Sequence, residues 1–352
     1  MKHIPYNILV ICFALFAGCQ KSNEQPESMQ AVGFDVTGVE QTRAAAITSA
    51  ENIVSLGIFG YSTGTASFDP TNASHTANPI FIDRKATRAP GLPVDDWVYT
   101  PVAYWPIDLT INNTFFAYSP HSDDFPAEAN ASLSNAAASG FPGYPVLNCT
   151  IPENVGLQRD ILWSGPVENI NRNTNNGKVL YEMKHALSWI QFLVAPIEKS
   201  NSSETYTITS LSLKANGLAT GGSLNLGTGA WTNVTTASAN YVFNPVNTPI
   251  PVGDVEPAVV NNDCLMLIPQ NITHANVDIS FLYFNGSIPD PDEYSYSIPF
   301  PEMELIAGKI TVCVLRISAE GTPIIFWYTT DNDIEKWDDG HPDLDVGEFE
   351  VY

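Results

Sequence analysis

Ser62 is the first side chain in the sequence whose surroundings suggest chemistry, because Gly60 to Gly64 match the G-x-S-x-G pattern of many hydrolases. That pattern activates a serine only on a sharp turn from a strand into a helix, with an acid and then a histidine downstream. The following residues, 65–70, do not predict a helix. We therefore predict a glycine-containing turn after a strand, and no enzyme.

Histidine and carboxylate side chains are the other candidates for chemistry. His185 introduces an apolar strand, and no second ligand stands at metal-binding spacing from it, so we interpret it as structural. Carboxylates cluster in residues 331–345 and at Asp290, Asp292 and Glu293, but the calcium-loop spacing of glycine and a closing glutamate is missing. Solvated acidic loops are the simpler interpretation. We predict no metal and no cofactor.

Cys19 is the residue with the most specific chemistry. A basic start at Lys2, a short apolar run from Ile8 to Phe16 and the small residues Ala17 and Gly18 precede it. This is the layout of a secretory signal, and the run is shorter than the roughly 20 apolar residues of a membrane-spanning helix. A cysteine directly after Ala-Gly is typical of a lipoprotein signal, so we expect cleavage before Cys19 and acylation of its thiol. An ordinary cleaved signal is the alternative.

The composition limits the function classes. A net charge of -23 argues against nucleic-acid binding, which requires a basic surface. With 44% hydrophobic residues the chain can bury real cores, and its 352 residues are typical of two domains. Of the five cysteines, Cys12 leaves with the signal and Cys19 takes the lipid. Cys149, Cys264 and Cys313 remain, an odd number without metal spacing, so no disulfide framework is predicted.

Short alternating segments separated by turns predict an all-β fold of two antiparallel β-sandwiches. In the first half the predicted strands are 31–39, 52–61, 79–83, 96–105, 114–119 and 160–164, with a short helix within 126–138. In the second half they begin at Val179 and continue at 188–195, 206–214, 240–243, 264–268, 277–284, 294–298, 309–318 and 323–329. The Asn-rich turn at 170–178 contains the predicted domain boundary, near 175–178.

Trp231 is the best candidate for a ligand-facing aromatic side chain. Most other tryptophans stand at strand positions, where packing in the core is expected. Trp231 lies in the turn-like stretch 229–233, where its ring could stack on a sugar.

Several short motifs follow one another in an order that resembles the fimbrillin family, including its Mfa-like members. They are Trp97 to Tyr99, Tyr104-Trp105-Pro106, Phe115-Phe116-Ala117-Tyr118-Ser119-Pro120, Asp160-Ile161-Leu162, His185-Ala186-Leu187-Ser188, Leu267-Ile268-Pro269-Gln270, Gly308-Lys309 and Trp337. Each motif is unspecific, but their order over about residues 31–340, behind a lipoprotein signal, is more specific.

The resemblance implies two transthyretin-like β-sandwich domains in tandem and a mode of assembly. Precursors of this family reach the outer membrane as lipoproteins, and an arginine-specific protease cuts after an arginine that follows the first strand. The first strand leaves, and a strand from another subunit fills the open groove.

Arg43 is the arginine that fits this scheme, because it stands in a polar stretch between the first two predicted strands. Cleavage there would make Ala44 the first mature residue and would release the lipid on Cys19 with the first strand. Arg88, in a polar loop predicted after the second strand, is the competing site. We favour Arg43 because a cut at Arg88 would also remove core.

The C-terminal tail is the candidate donor strand. Leu344 and Val346 alternate with polar residues, as do Phe349 and Val351, and the alternation slips by one at Gly347 as at a β-bulge. The tail fits equally well as the last strand of its own domain, because donated and internal strands share the same period.

The sequence thus divides into a signal peptide (1–18), a lipidated tether with the first strand (19–43), and two β-sandwich domains (44–177 and 178–352). The resulting hypothesis is a fimbrial subunit for cell adhesion, surface-exposed on the outer membrane and then part of the fimbria. Its expected partners are other subunits, the protease, the membrane, and a host glycan or protein. The alternatives are a surface-anchored glycan-binding lipoprotein and an anchor or tip subunit that does not polymerise.

Overall fold

The computed structural model describes residues 29–39, 52–88, 97–134, 141–196, 203–244, 246–251, 257–261, 263–284, 286, 291–317 and 325–330. These residues form β-strands joined by turns and short 3-10 helices, so the predicted all-β class is confirmed. No helix in this part of the chain is long and apolar enough to cross a membrane.

The strands before residue 200 are β1 (Gly33–Val39), β2 (Ser55–Gly64), β3 (Pro79–Arg88), β4 (Trp97–Val98), β5 (Asn112–Ser119), β6 (Ser132–Ser134), β7 (Val146–Thr150), β8 (Leu162–Ile170), β9 (Lys178–His185) and β10 (Ser188–Val194). The 3-10 helices are Ala73–Thr76, Ser122–Asp124, Ala127–Ala129, Val155–Leu157 and Thr174–Gly177.

The strands after residue 200 are β11 (Thr205–Asn225), β12 (Trp231–Phe243), β13 (Thr248–Pro249), β14 (Ala258–Val259), β15 (Leu265–Leu267), β16 (Gln270–Ile272), β17 (Ala275–Phe284), β18 (Asp292–Pro299), β19 (Met303–Leu305), β20 (Ile310–Arg316) and β21 (Ile325–Thr330).

Three larger sheets organise these strands. The first has the order β1-β9-β8-β5-β2-β3-β4, the second contains β14-β10-β20-β21, and the third contains β18-β17-β11-β7-β6. β1 runs parallel to β9, and β10 runs parallel to β20, which differs from the predicted antiparallel arrangement. A parallel neighbour needs a long crossover connection, and such a connection leaves no local trace in the sequence.

β2 and β5 form the centre of the first sheet and are buried on both faces. Ile58 and Phe115 face one hydrophobic cluster, whereas Phe59 and Phe116 face the other. Burial on both sides explains why these strands are nearly continuous apolar runs instead of alternating ones. The second and third sheets contribute most of the remaining side chains of the larger cluster.

The domain boundary near residue 177 remains a prediction. β9, which follows that position, pairs with β8 and β1 in the first sheet. β6 and β7, which precede it, extend the third sheet, because β7 pairs with β11.

Two predicted elements differ from the structure. The helix expected within 126–138 is wrong where the chain is described: a single 3-10 turn, Ala127–Ala129, ends at Asn130 with a left-handed φ of 46°, and the strand β6 follows. The strands predicted at 206–214 and 240–243 are parts of the longer β11 and β12. Their Gly-, Ala- and Thr-rich sections lack the apolar alternation that marks a strand.

Candidate functional site: the groove around the first strand

The strand β1 lies at the edge of the first sheet, and backbone hydrogen bonds hold it and the residues just before it. Along one side it pairs in parallel with β9, from Gly33 opposite Lys178 onward. On the other side Val32 N–H donates to the Ala103 carbonyl at 3.0 Å, and Trp105 N–H donates to the Gln30 carbonyl at 3.0 Å. We call the space between β9 and residues 103–105 the β1 groove.

Alternate side chains of β1 enter the hydrophobic cluster beneath the groove. Val32, which directly precedes β1, is 1% exposed, and Phe34 and Val36 are 2% and 6% exposed, as the period of a strand requires for one face. The Phe34 ring lies 5.2 Å from the Tyr99 ring, 5.5 Å from the Phe81 ring and 6.1 Å from the Tyr181 ring, measured between centroids. Phe34 is therefore the anchor of β1.

The burial of β1 is a large fraction of what stabilises a domain. Complete burial of an aliphatic or aromatic side chain contributes about 1.5–3 kcal/mol, so three such side chains contribute about 5–9 kcal/mol. The net free energy of unfolding of a protein is about 5–15 kcal/mol. Loss of β1 without a replacement would therefore leave an apolar slot and unpaired backbone groups that this fold cannot readily tolerate.

The N-terminal end of the groove is closed by a tight turn before β9. Asn175, Asn176 and Gly177 all have left-handed backbone conformations, with φ of 47°, 56° and 78°. Trp105 Nε1–H donates to the Gly177 carbonyl at 2.9 Å, and Gln30 Nε2–H donates to the Asn176 carbonyl at 2.9 Å. Asn and Gly are the residues that adopt this conformation most easily, which explains the Asn-rich stretch seen in the sequence.

The interior of the groove favours neutral groups. Burial raises the pKa of the Tyr99 hydroxyl, which stays protonated and donates to the Val32 carbonyl at 2.7 Å. Burial also raises the pKa of Tyr181 well above its ordinary value. A strand that binds here must bring apolar side chains inward and backbone groups to both edges.

The predicted processing residues do not fall in the described part of the chain. Cys19, Arg43, Ala44 and the donor-strand candidates lie outside the described residues, and so does the acidic tract 331–345. The donor-strand candidates are Leu344, Val346, Phe349 and Val351. The structure describes only the strand β1, which precedes Arg43. The roles of these processing and donor-strand residues remain predictions.

Arg88 is not in a loop, contrary to expectation. It is the last residue of β3, its guanidinium lies 4.8 Å from the centre of the Trp97 ring, and its Nε–H donates to the Ile53 carbonyl at 3.0 Å. The strand continues beyond the predicted end because polar residues such as Arg84 and Lys85 still pair with β2. Arg88 is therefore built into the fold.

Trp231 is the first residue of β12 and is half-buried against the larger hydrophobic cluster. Its Nε1–H donates to the Ala186 carbonyl at 2.9 Å. The indole donor is thus already engaged within the chain, and its role in ligand binding remains a prediction.

His185 pairs with Asp160, which lies 25 residues earlier in the chain and at no recognisable motif spacing from it. Its Nδ1 lies 2.9 Å from Asp160 Oδ2, with both side chains almost completely buried, and its ring packs edge-on against Trp189. Ser62 lies inside β2, where its hydroxyl donates to Asn113 Oδ1 at 2.6 Å. The described residues contain no cluster of three or more His, Cys, Asp or Glu side chains arranged to hold a metal ion.

Cys149, Cys264 and Cys313 are free and buried. Burial raises the pKa of the Cys149 and Cys264 thiols to about 12 and that of Cys313 further. Such thiols are inert at neutral pH, which fits a packing role.

The fold and the β1 groove define a β-rich protein whose first described strand lies at a sheet edge, and comparison with known proteins gives the family. The family described as Fimbrillin-like matches residues 42–337, and the chain belongs to this family. The curated Fimbrium subunit Fim1C of Phocaeicola vulgatus is 24% identical over 192 residues, which are 52% of this chain and 49% of that protein. The match thus spans about half of the relative's length.

Solved structures agree with the fold. A fimbrial protein from Bacteroides vulgatus superposes with a TM-score of 0.64 at 17% identity, over 86% of this chain and 99% of that chain. A structure described as a cell adhesion protein from Bacteroides uniformis gives a TM-score of 0.50 at 14% identity, over 86% and 97%. At these identities the similarity shows the fold alone.

The anchoring role of Phe34 can be tested in the uncleaved chain. Phe34→Ala removes a buried aromatic side chain and should lower the free energy of unfolding by about 3–5 kcal/mol. Asp35→Ala, at the adjacent half-buried position of β1, should change it by no more than about 0.5 kcal/mol. Urea unfolding followed by tryptophan fluorescence measures both. Equal shifts of the two midpoints would show that β1 is not held by its buried face.

Proposed function

We propose that this chain is a structural subunit of a bacterial surface fimbria that serves cell adhesion. In this proposal it is exported as a lipoprotein acylated on Cys19, reaches the cell outer membrane, and polymerises by exchange of strands between subunits. The family assignment and the names of its relatives, a fimbrium subunit and a fimbrial protein, support the coarser part of the proposal.

The observation that carries the assembly step is the position of β1. It is an edge strand at the start of the described chain, and the polar residues 40–42 link its last residue, Val39, to Arg43. A cut after Arg43 therefore separates β1 from every later strand and releases it together with Cys19. Removal of an edge strand leaves β9 paired with β8, so the sheet keeps its order.

Cleavage at Arg88 would instead remove strands from the centre of the first sheet. Arg88 ends β3, and β2 lies before it in the chain, between β3 and β5 at the centre of the first sheet. A cut there would detach β1, β2 and β3 together, including the fully buried Ile58 and Phe59. Arg43 is thus the better site for an arginine-specific protease.

The emptied groove would bind another strand. The edge of β9 would present unpaired N–H and C=O groups beside the apolar slot of Val32, Phe34 and Val36, and such an edge recruits an extended segment by strand addition. The replacement recovers the same burial that the loss of β1 costs. Assembly by this route needs no chemical energy beyond the cut.

The C-terminal tail carries the side chains that the groove requires. Phe349-Glu350-Val351 repeats the order aromatic, acidic, valine of Phe34-Asp35-Val36 in β1. Val346-Gly347 likewise repeats Val32-Gly33, with Glu348 as one additional residue. We propose that Phe349 of one subunit occupies the Phe34 pocket of the next, between Phe81, Tyr99 and Tyr181.

The alternative functions differ from this proposal in whether β1 is cut from the chain and released. A surface-anchored glycan-binding lipoprotein keeps its lipid and its first strand permanently. An anchor subunit or a tip subunit that does not polymerise either keeps β1 or does not donate its tail. Processing at Arg43 therefore distinguishes these functions from a polymerising subunit.

Cleavage after Arg43 is tested by sequencing the mature N-terminus and by substituting Arg43. The mature protein isolated from fimbriae should begin at Ala44 by N-terminal sequencing. Arg43→Lys keeps the positive charge but removes the arginine, so it should abolish the cut and the detergent-resistant, high-mass ladders on gels.

Changing the exposed Arg316 to Lys is the matched control and should leave both the cut and the ladders unchanged. A chain found only in the form that begins at lipidated Cys19, or ladders that persist in Arg43→Lys, would contradict strand exchange released by this cut.

The donor role of the tail is tested by a pair of adjacent substitutions. Phe349→Ala should abolish the ladders, because the Phe34 pocket would receive no aromatic side chain, while cleavage at Arg43 continues. Glu350→Ala should keep the ladders, because the equivalent Asp35 faces away from the buried cluster. Ladders of normal length in Phe349→Ala would show that the tail is an internal strand of its own subunit.

A further inference from the structure

A long stretch of the chain has no charged side chain. Between Lys214 and Asp254 there is no Asp, Glu, Lys, Arg or His, although the whole chain carries 38 acidic and 15 basic residues. This stretch includes the second half of β11 and all of β12. The second half of β11 and all of β12 therefore add no charge to the surface of an otherwise acidic protein.

β12 presents one edge of its backbone to solvent. It pairs with β11 along one side, and at the C-terminal end of its other side residues 153–154 cover it. There Val242 N–H donates to the Glu153 carbonyl at 2.8 Å, and Asn240 N–H donates to Glu153 Oε1 at 3.3 Å. Glu153 thus ends the open part of the edge at Asn240.

The open part of the edge has backbone groups ready for pairing. Because Asn240 and Val242 turn their N–H groups away from β11, the alternation of a strand turns those of Thr236 and Ser238 the same way. The described residues provide no backbone partner for these groups beyond β11. All side chains from Thr232 to Ser238 are exposed, and Val234 is 43% exposed.

Proteins normally protect such an edge with charged side chains, proline or a covering loop. Between Val234 and Ser238 the sequence Val-Thr-Thr-Ala-Ser has none of these protections and includes three β-branched residues, which favour strands. An unprotected edge of this composition is a site of strand addition.

We propose that the open edge of β12 binds the same edge of a second copy of this chain, antiparallel and around a two-fold axis at Thr236. Thr236 then faces Thr236 of the partner copy, Thr235 faces Ala237, and Val234 faces Ser238. The contact is isologous, so each copy contributes the same residues. It joins subunits side by side and does not depend on exchange through the β1 groove.

The absence of charged side chains on this edge makes it fit a second copy of the chain. Two copies of a protein with a net charge of -23 repel each other over most of their surfaces. The β12 edge is a place where they can meet without placing like charges opposite each other, which destabilises a strand pair. Threonine and serine pairs across such a ladder are favourable instead.

The proposed register is tested by a single cysteine at the two-fold axis. In a hydrogen-bonded antiparallel pair the Cα atoms of opposite residues are about 5.5 Å apart, a distance that a disulfide spans. The full-length chain with Thr236→Cys, extracted from bacteria in detergent, should form several-fold more disulfide-linked dimer under mild oxidation than the same chain with Asn276→Cys. Asn276 is equally exposed but lies on β17, between β11 and β18.

Both variants carry Arg43→Lys, so that strand exchange contributes no dimer. The same chain without a new cysteine gives the background from the cysteines already present. Thr236→Lys, which would place two positive charges opposite each other, should abolish the dimer in sedimentation velocity without changing the unfolding midpoint. Equal cross-linking at positions 236 and 276, or sedimentation unaffected by Thr236→Lys, would overturn the proposal.

Discussion

The packing of β1 and the residues just before it holds the first sheet and its hydrophobic cluster together at one edge. β1 pairs with β9, residues 30–32 bond to residues 103–105, and Val32, Phe34 and Val36 enter the cluster below. A backbone group without a partner and an apolar slot filled with water are both costly. The groove therefore has to be occupied, and in the proposed assembly a strand of another subunit takes the place of β1.

The other strands of the first sheet pair with one another without β1, so the groove would keep its walls if β1 were removed. β9 is paired on its far side with β8, β8 with β5, and β5 with β2, and the central pair is buried on both faces. These contacts do not involve β1. The turn of Asn175, Asn176 and Gly177 is likewise set by local backbone conformation. Exchange of the edge strand can thus leave the core in place.

The sequence predicts the elements whose pattern is local and misses those that depend on distant partners. Val32, Phe34 and Val36 alternate clearly, so β1 was predictable, whereas the opposite wall at residues 103–105 pairs across a long separation. Asp160 and His185 are also far apart in the chain, and only the fold brings them together. The exposed section of β12 has no buried face at all and therefore no apolar period to detect.

A high-resolution structure of the assembled fimbria by electron cryo-microscopy would show directly which strand fills the β1 groove. We expect the density between β9 and residues 103–105 of each subunit to belong to a neighbouring subunit, with an aromatic side chain among Phe81, Tyr99 and Tyr181. A fimbria in which each subunit still holds its own residues 33–39 in that groove would contradict this expectation.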